Sequence, residues 1–287
     1  MSDLRVYDIE QLIEDTVNLV SFPQVVISLL QTLSDEFADR HDIASLIKQD
    51  PALTAALIRL CNSPVYYTGT QPVLSIDEAI KQIGTEQTTS LCLALCACDA
   101  TDNLRNEVID LKHYWRHCLL TACICSVLAE DKPTISSGAA FTGGLLHDIG
   151  QLPLFYQYPA ESNRVLEYCQ LHTDRLIAQA EKQIFGFTHE DVGQLLARKW
   201  NFPEQLALCI SKHHQTNLDT GHTDLVMVVQ VANILSESLE TQEDITFYLD
   251  DITPFVRAHV IPDIEMLPEV LDKASRYFDD VHSSILM

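Results

Sequence analysis

Apolar residues recur along this chain at intervals of three and four, and no stretch alternates polar with apolar over the length of a strand. The pattern predicts an all-α fold with no sheet larger than a two-stranded pin. A first amphipathic helix is expected over Ile9–Val20, and Phe22-Pro23 opens a second with Val26, Leu29, Leu30 and Leu33 on one stripe. A short helix follows over His41–Lys48. Asp50-Pro51 then supplies a cap and a proline at the first helical position, launching Ala52–Leu60. Cys61-Asn62-Ser63-Pro64 forms a polar exit into a loop over Tyr66–Pro72. Ser75-Ile76-Asp77-Glu78 has capping-box spacing and starts a helix ending near Gly84.

The next helices are expected over Glu86–Cys98, Asp110–Ala129 and Ala139–Ile149, the last ending where Gly150 permits an exit. Four more follow over Glu161–Leu171, Thr173–Phe185, His189–Trp200 and Pro203–His214, with Thr188 and Asp191 forming a weaker cap. Asn217–Thr223 is a surface loop, Thr223–Leu239 is helical, and a final helix lies in Pro268–Phe278. The polar join Asp99–Asp110 suggests an N-terminal helical part over 1–105 and a helical core over 106–240. The acidic helical extension over 241–287 is expected to be no separate domain. Within this C-terminal region, Glu237–Asp280 reads as a solvated outer layer.

Composition narrows the class. With 47% hydrophobic residues, 9 Gly and 11 Pro in 287 residues, the chain can bury a full core and is not a disordered or collagen-like polymer. The 41 acidic residues outnumber 18 Lys and Arg, giving a formal charge of −23 that argues against direct nucleic-acid binding and against an anionic membrane surface. The longest apolar runs, Ser90–Cys98 and Cys118–Ala129, fall short of the roughly 18–20 residues of a membrane span. An acidic N-terminus does not resemble an export signal, so a cytoplasmic location is expected. Nine cysteines, an odd number set mostly in apolar runs, fit buried thiols better than disulfides. Cys92 and Cys96 share a helix face, but they fit that same description.

The chemistry concentrates in Gly143-Gly144-Leu145-Leu146-His147-Asp148-Ile149-Gly150. Adjacent helical residues point about 100° apart, so an ion held between His147 and Asp148 needs further groups from elsewhere. His117 lies in the preceding long helix, His189 opens a later one, and His213-His214 closes the next. Imidazole nitrogen and carboxylate oxygen form mixed sites for divalent metals, and helical proteins build such sites from several helices. Alternatively, His147 pairs with Asp148 or a backbone carbonyl, and His213-His214 favours a helix C-terminus. His41, His113, His172, His222, His259 and His282 have no comparable context. Asn62, Ser63, Tyr66 and Tyr67 lie between helices and can line a polar recess. Without a base beside Ser63 they suggest helix closure rather than nucleophilic catalysis. Arg59 and Arg116 are candidate phosphate donors that can equally pair with local carboxylates.

The order His117, His147-Asp148, His189, His213-His214 resembles the HD superfamily of helical metal-dependent phosphohydrolases, whose His-Asp doublet supplies ligands for a divalent ion. The resemblance is closer to the HD-related output domain (HDOD) branch and covers roughly Val20 to Leu239. Its ordered matches include Asp50-Pro51-Ala52-Leu53, Leu60-Cys61-Asn62-Ser63, Trp115-Arg116-His117, Gly186-Phe187-Thr188-His189 and Trp200-Asn201-Phe202-Pro203. The resemblance implies an all-α, multi-helical HD-like core with an additional N-terminal helical part. It also implies His117, His147, Asp148, His189, His213 and His214 as candidate ligands for Fe, Ni, Zn, Mn or Mg, with Asp148 the catalytic group if the site is active.

In that frame Asn233 stands where the superfamily's last aspartate ligand is expected, and an amide is a weaker ligand than a carboxylate. HDOD relatives are bacterial signalling modules without demonstrated catalysis. Relatives that hydrolyse cyclic di-GMP carry a Gly-Tyr-Pro element after the histidine pair, where this chain has Gln215–Thr223. The resemblance therefore implies a noncatalytic signal-transduction or protein-interaction module with a signalling protein partner. The alternative is a metal-dependent phosphohydrolase acting on a nucleotide or cyclic dinucleotide. With no sensory, receiver or DNA-binding segment in the sequence, input is expected through another chain or a small ligand.

Overall fold

The structure, a computed structural model, describes residues 7–19, 28–29, 40–64, 66, 72–102, 110–171, 177–215 and 224–285. Among the described residues every regular element is helical and there is no strand. The expected helix after Phe22-Pro23 lies outside the described residues, apart from a short stretch containing the fully buried Leu29. The 103–109 join and the 217–223 loop also lie outside them.

Helices α1 (Ile9–Leu19) and α2 (Arg40–Ile47) precede α3 (Pro51–Cys61). The Asp50 side chain caps α3 by accepting from the backbone N–H groups of Ala52 and Leu53. Asn62 closes that helix: its side chain donates to the carbonyls of Ile58 and Val73 at 2.8 Å each and accepts from the Val73 N–H at 2.8 Å. The Asn62 amide is thereby a backbone clamp rather than part of a polar recess, and Tyr67 lies outside the described residues. Helix α4 (Ile76–Ile83) starts on the expected Ser75 cap, and α5 (Thr85–Asp102) runs past the expected end at Cys98.

The centre of the molecule is α6 (Leu111–Ala129) packed on α7 (Ser137–Leu146). Eight of the ten residues of α7 are buried, so it carries no solvent face and is surrounded by α5, α6, α12 (Glu204–Lys212) and α13 (Asp224–Thr241). The expectation of one helix over Ala139–Ile149 is corrected here. Helix α7 stops at Leu146, and three-residue hydrogen bonds from Ile149 N–H to Leu146 and from Gln151 N–H to Asp148 tighten 147–150 into a turn. A short helix that the periodicity did not reveal, α8 (Gln151–Gln157), follows. Helices α9 (Pro159–Leu171), α10 (Ile177–Ile184) and α11 (His189–Lys199) complete this side.

The C-terminal region departs most from expectation. After two 3₁₀ turns, α14 (Pro254–Val260) packs on α13, and α15 (Leu267–Ile285) packs on α6 and reaches α3 and α5. Leu267, Val270, Ala274, Phe278 and Val281 are all buried. The segment is therefore not a solvated outer layer. Its acidic residues mask an apolar stripe at helical spacing, and that stripe joins the N-terminal helices to the core. No helix among the described residues is long and apolar enough to cross a membrane.

Candidate metal centre

Three helices, α6, α11 and α12, and the 147–150 turn carry the histidine cluster, and two glycines bring them close. A Cβ on Gly144 would lie 2.8 Å from the Ala122 Cα, so α7 meets α6 backbone to backbone one turn past His117. A Cβ on Gly150 would lie 2.0 Å from the His189 carbonyl oxygen and 2.6 Å from the Gly193 nitrogen. Only glycine lets the turn press against the start of α11 and set Asp148 beside His189. Helix α11 opens on a complete capping box: Thr188 accepts from the Asp191 N–H at 3.2 Å, and Asp191 accepts from the Thr188 N–H at 2.9 Å. This cap is stronger than its sequence suggests.

Asp148 lies between two groups of imidazoles. Its Oδ1 is 3.3 Å from His189 Nε2 and 3.3 Å from His213 Nε2, and those two nitrogens are 3.2 Å apart. Its Oδ2 is 3.4 Å from His147 Nε2 and 3.9 Å from His117 Nε2. His214 is adjacent, with its ring centroid 4.2 Å from that of His213 and 5.1 Å from that of His189. All six histidine and aspartate residues singled out in the sequence therefore come together, in two groups that share Asp148.

The other nitrogen of each ring determines what faces inward. His147 Nδ1 donates to the Gly144 carbonyl at 2.6 Å, and His213 Nδ1 lies 3.1 Å from the carbonyls of both Cys209 and Ile210. His189 Nδ1 donates to Glu181 at 2.7 Å, and His117 Nδ1 donates to Glu240 at 3.0 Å. A neutral imidazole with its proton on Nδ1 presents a lone pair on Nε2. In that neutral form the Nε2 atoms of His189 and His213 face one another and Asp148 Oδ1 as electron-pair donors. Such a triangle needs a proton or a cation at its centre.

The donor set fits a divalent ion. With ligand atoms about 2.1 Å from a metal, neighbouring ligands stand about 3.0 Å apart in octahedral and about 3.4 Å apart in tetrahedral coordination, and the observed edges of 3.2 to 3.3 Å lie between. His147 Nε2 and Asp148 Oδ1 are both buried without a hydrogen-bond partner, as the orphaned ligands of a metal would be. Charges are held accordingly. Burial works against the Asp148 carboxylate, yet the surrounding imidazoles, His147 foremost, hold its pKa well below the usual range. Burial also opposes charge on His117 and His189, but Glu240 and Glu181 outweigh it and push each up to about 9. Burial lowers His213, and burial with the neighbouring histidines lowers His214 further.

Asn233 is buried on α13, one turn before Ser236, whose hydroxyl is 3.4 Å from His117 Nδ1. Its Oδ1 has no hydrogen-bond partner, and neither have Gln230 Oε1 and Glu240 Oε1 on the same helix. Gln230, Glu240 and Glu181 were not singled out in the sequence, although a signal was present. Glu181 falls on the apolar stripe Ile177, Ala180, Ile184, and it is only 1% exposed. Cys92 and Cys96 are buried thiols outside any disulfide, and among the described residues no cysteine belongs to a ligand cluster. Arg116 lies over the Phe278 ring at 4.9 Å. His172 and His222 lie outside the described residues.

The model of the HDOD domain family matches residues 19–216. A curated protein of uncharacterised function from Treponema pallidum (strain Nichols) is 25% identical over 232 residues, which is 78% of this chain and 43% of that protein. The chain thus spans less than half the length of that relative. Among solved structures, an HDOD domain protein of unknown function from Geobacter sulfurreducens superposes with a TM-score of 0.76 at 22% identity, covering 98% of this chain and all (100%) of that one. A candidate signal transduction protein from Marinobacter aquaeolei VT8 gives 0.74 at 21% identity, over 98% of this chain and 61% of its own. A candidate phosphohydrolase from Shewanella amazonensis SB2B gives 0.69 at 21%, over 93% and 97%. At these identities the structural likeness shows a shared fold.

Proposed function

We propose that this chain, which belongs to the HDOD domain family, is a signal-transduction or protein-interaction module whose buried histidine cluster holds an ion or proton without turning over a substrate. The observation that carries this reading is closure. His147 and His189 are 0% exposed, His213 is 1% exposed and the His117 side chain 15%, so the imidazoles that converge on Asp148 leave little open face for a phosphoester. Catalytic metal sites keep an open position for water or substrate, whereas structural sites are closed. Asn233 supports the same reading, since an amide in place of a carboxylate weakens both cation binding and water activation. The fold shared with a candidate signal transduction protein is in keeping with this role. The excess of acidic residues favours a protein partner over nucleic acid.

Asp148, His189, His213 and His214 would hold the ion, with His147 and His117 on the other oxygen of Asp148. Three imidazoles to one carboxylate suit Zn²⁺, Fe²⁺ or Ni²⁺ better than the oxygen-seeking Mg²⁺. Bound there, the metal supplies positive charge that neutralises Asp148 and, given an open position, polarises a phosphoryl group. The chain's own contribution is orientation: the Nδ1–H groups of His117, His147, His189 and His213 are held by a carbonyl or carboxylate, and their Nε2 atoms are turned inward. A second reading, metal-dependent phosphohydrolysis of a nucleotide or cyclic dinucleotide, is favoured by one feature. Asp148 offers its two oxygens to two imidazole groups, an arrangement able to bridge two ions.

Phosphate release from nucleotides and cyclic dinucleotides, measured across Mg²⁺, Mn²⁺, Fe²⁺, Ni²⁺ and Zn²⁺, separates the two readings. The expected rate is no greater than that of the His147→Ala and Asp148→Ala variants. Turnover abolished by either substitution would establish the hydrolase and overturn the noncatalytic module.

A further inference from the structure

Two carboxylates, Glu181 buried and Glu240 partly buried, stand behind the cluster without entering it. Glu181 Oε2 accepts twice from one residue, from the His189 backbone N–H at 2.8 Å and from its Nδ1–H at 2.7 Å. On the opposite side of Asp148, Glu240 Oε2 accepts from His117 Nδ1–H at 3.0 Å, while its Oε1 is buried and partnerless. The two differ in setting: the Glu181 side chain is 2% exposed and that of Glu240 13%. Burying a carboxylate is costly unless its charge is used, and a helix cap alone needs only a neutral acceptor. Thr188 already supplies that cap to α11. Glu181 is therefore surplus as a cap, and its charge is spent on the imidazole of His189.

We propose that Glu181, and to a smaller degree Glu240, are positioning residues of the metal centre, each fixing its histidine with Nε2 toward Asp148 and making that nitrogen a stronger donor to a cation. This rests on reading the cluster as a metal centre, and it adds two residues outside the histidine–aspartate motif. The geometry favours Glu181 as the stronger of the pair. Its double acceptance leaves His189 no freedom to rotate, and the nitrogen it orients is one corner of the triangle with His213 and Asp148. The opposing carboxylate acts on His117, whose Nε2 stands farther from Asp148, at 3.9 Å.

The test is a Co²⁺ titration of the metal-stripped full chain, followed by its visible d–d absorption, with thermal unfolding of each metal-free variant alongside. Glu181→Gln keeps an acceptor for both N–H groups and removes only the charge. The expected result is a metal-free melting temperature close to that of the parent, with Co²⁺ affinity about 10- to 100-fold weaker and a shifted absorption band. Glu181→Asp, which restores charge with a shorter reach, should recover part of the affinity, and Glu240→Gln should weaken binding less than Glu181→Gln does. Parent-like affinity and spectrum in Glu181→Gln would overturn the proposal while leaving the metal centre intact. A parent chain that gives no Co²⁺ signal would overturn the metal centre and the proposal together.

Discussion

At the scale of single residues, the facing Nε2 atoms of His189 and His213 set the demands of the site, and the buried Asn233, one turn before the Ser236 that meets His117, is a residue at which to test them. Asn233→Asp would bury a second carboxylate on the α13 face that borders the cluster. Without metal this should destabilise the fold by roughly 2–4 kcal/mol, since an unpaired buried charge is poorly solvated. Added Zn²⁺ should recover the loss, and calorimetry with and without the ion measures both. The histidine order was legible in the sequence because His147, His189 and His213-His214 sit at recognisable helix ends, with His117 in the long helix before them. Glu181 was not, because a charged residue in Ile177–Ile184 reads as a surface position until its place on the apolar stripe is noticed. The turn at 147–150 was hidden for a different reason: His147-Asp148-Ile149 can continue the helix before it, and only the three-residue hydrogen bonds distinguish the turn.

At the scale of elements, α15 shows how charge can conceal a core helix. Glu269, Asp272, Lys273 and Asp279 dominate its composition, yet its buried face lies against α6 and α3. Tyr277 ties it down further: its hydroxyl is 2.6 Å from that of Tyr66 and receives the Gln87 amide at 2.5 Å. Phe278→Ala should therefore cost about 3–5 kcal/mol, as for other buried aromatic truncations, and chemical denaturation should register it as a lower midpoint. Substitution of the exposed Asp279 in the same helix should change stability by no more than about 0.5 kcal/mol. The long helices α6 and α13 were legible from periodicity over many turns. Helices α8 and α14, of seven residues each, span too few turns for a period to stand out.

At the scale of the whole molecule, α15 and α7 connect the N-terminal helices to the histidine-bearing core, so thermal unfolding should show one transition. Fragments divided in the 99–110 join should not fold independently, and circular dichroism of each would reveal it. A polar clasp adds a pH dependence. Asp224 at the start of α13 accepts from Thr134 at 2.8 Å and pairs with His259 on α14 at 3.0 Å, which hold its pKa below the ordinary carboxylate value. A depressed carboxylate stabilises the fold at pH above its unfolded pKa, near 4, and that contribution is lost as the pH falls through the folded value. Because the pair is partly solvated the effect is about 1 kcal/mol or less, and Asp224→Asn should flatten the acid limb of a pH–stability curve by that amount. The close backbone approach at Gly150 has a consequence in time rather than in energy. With the turn pressed onto α11, the His189 side of Asp148 is shut, so a bound ion there would exchange slowly, through the partly exposed His117 side or by local opening of that contact. An ion captured as the chain folds would then leave slowly, and its occupancy would lag behind changes in its surroundings.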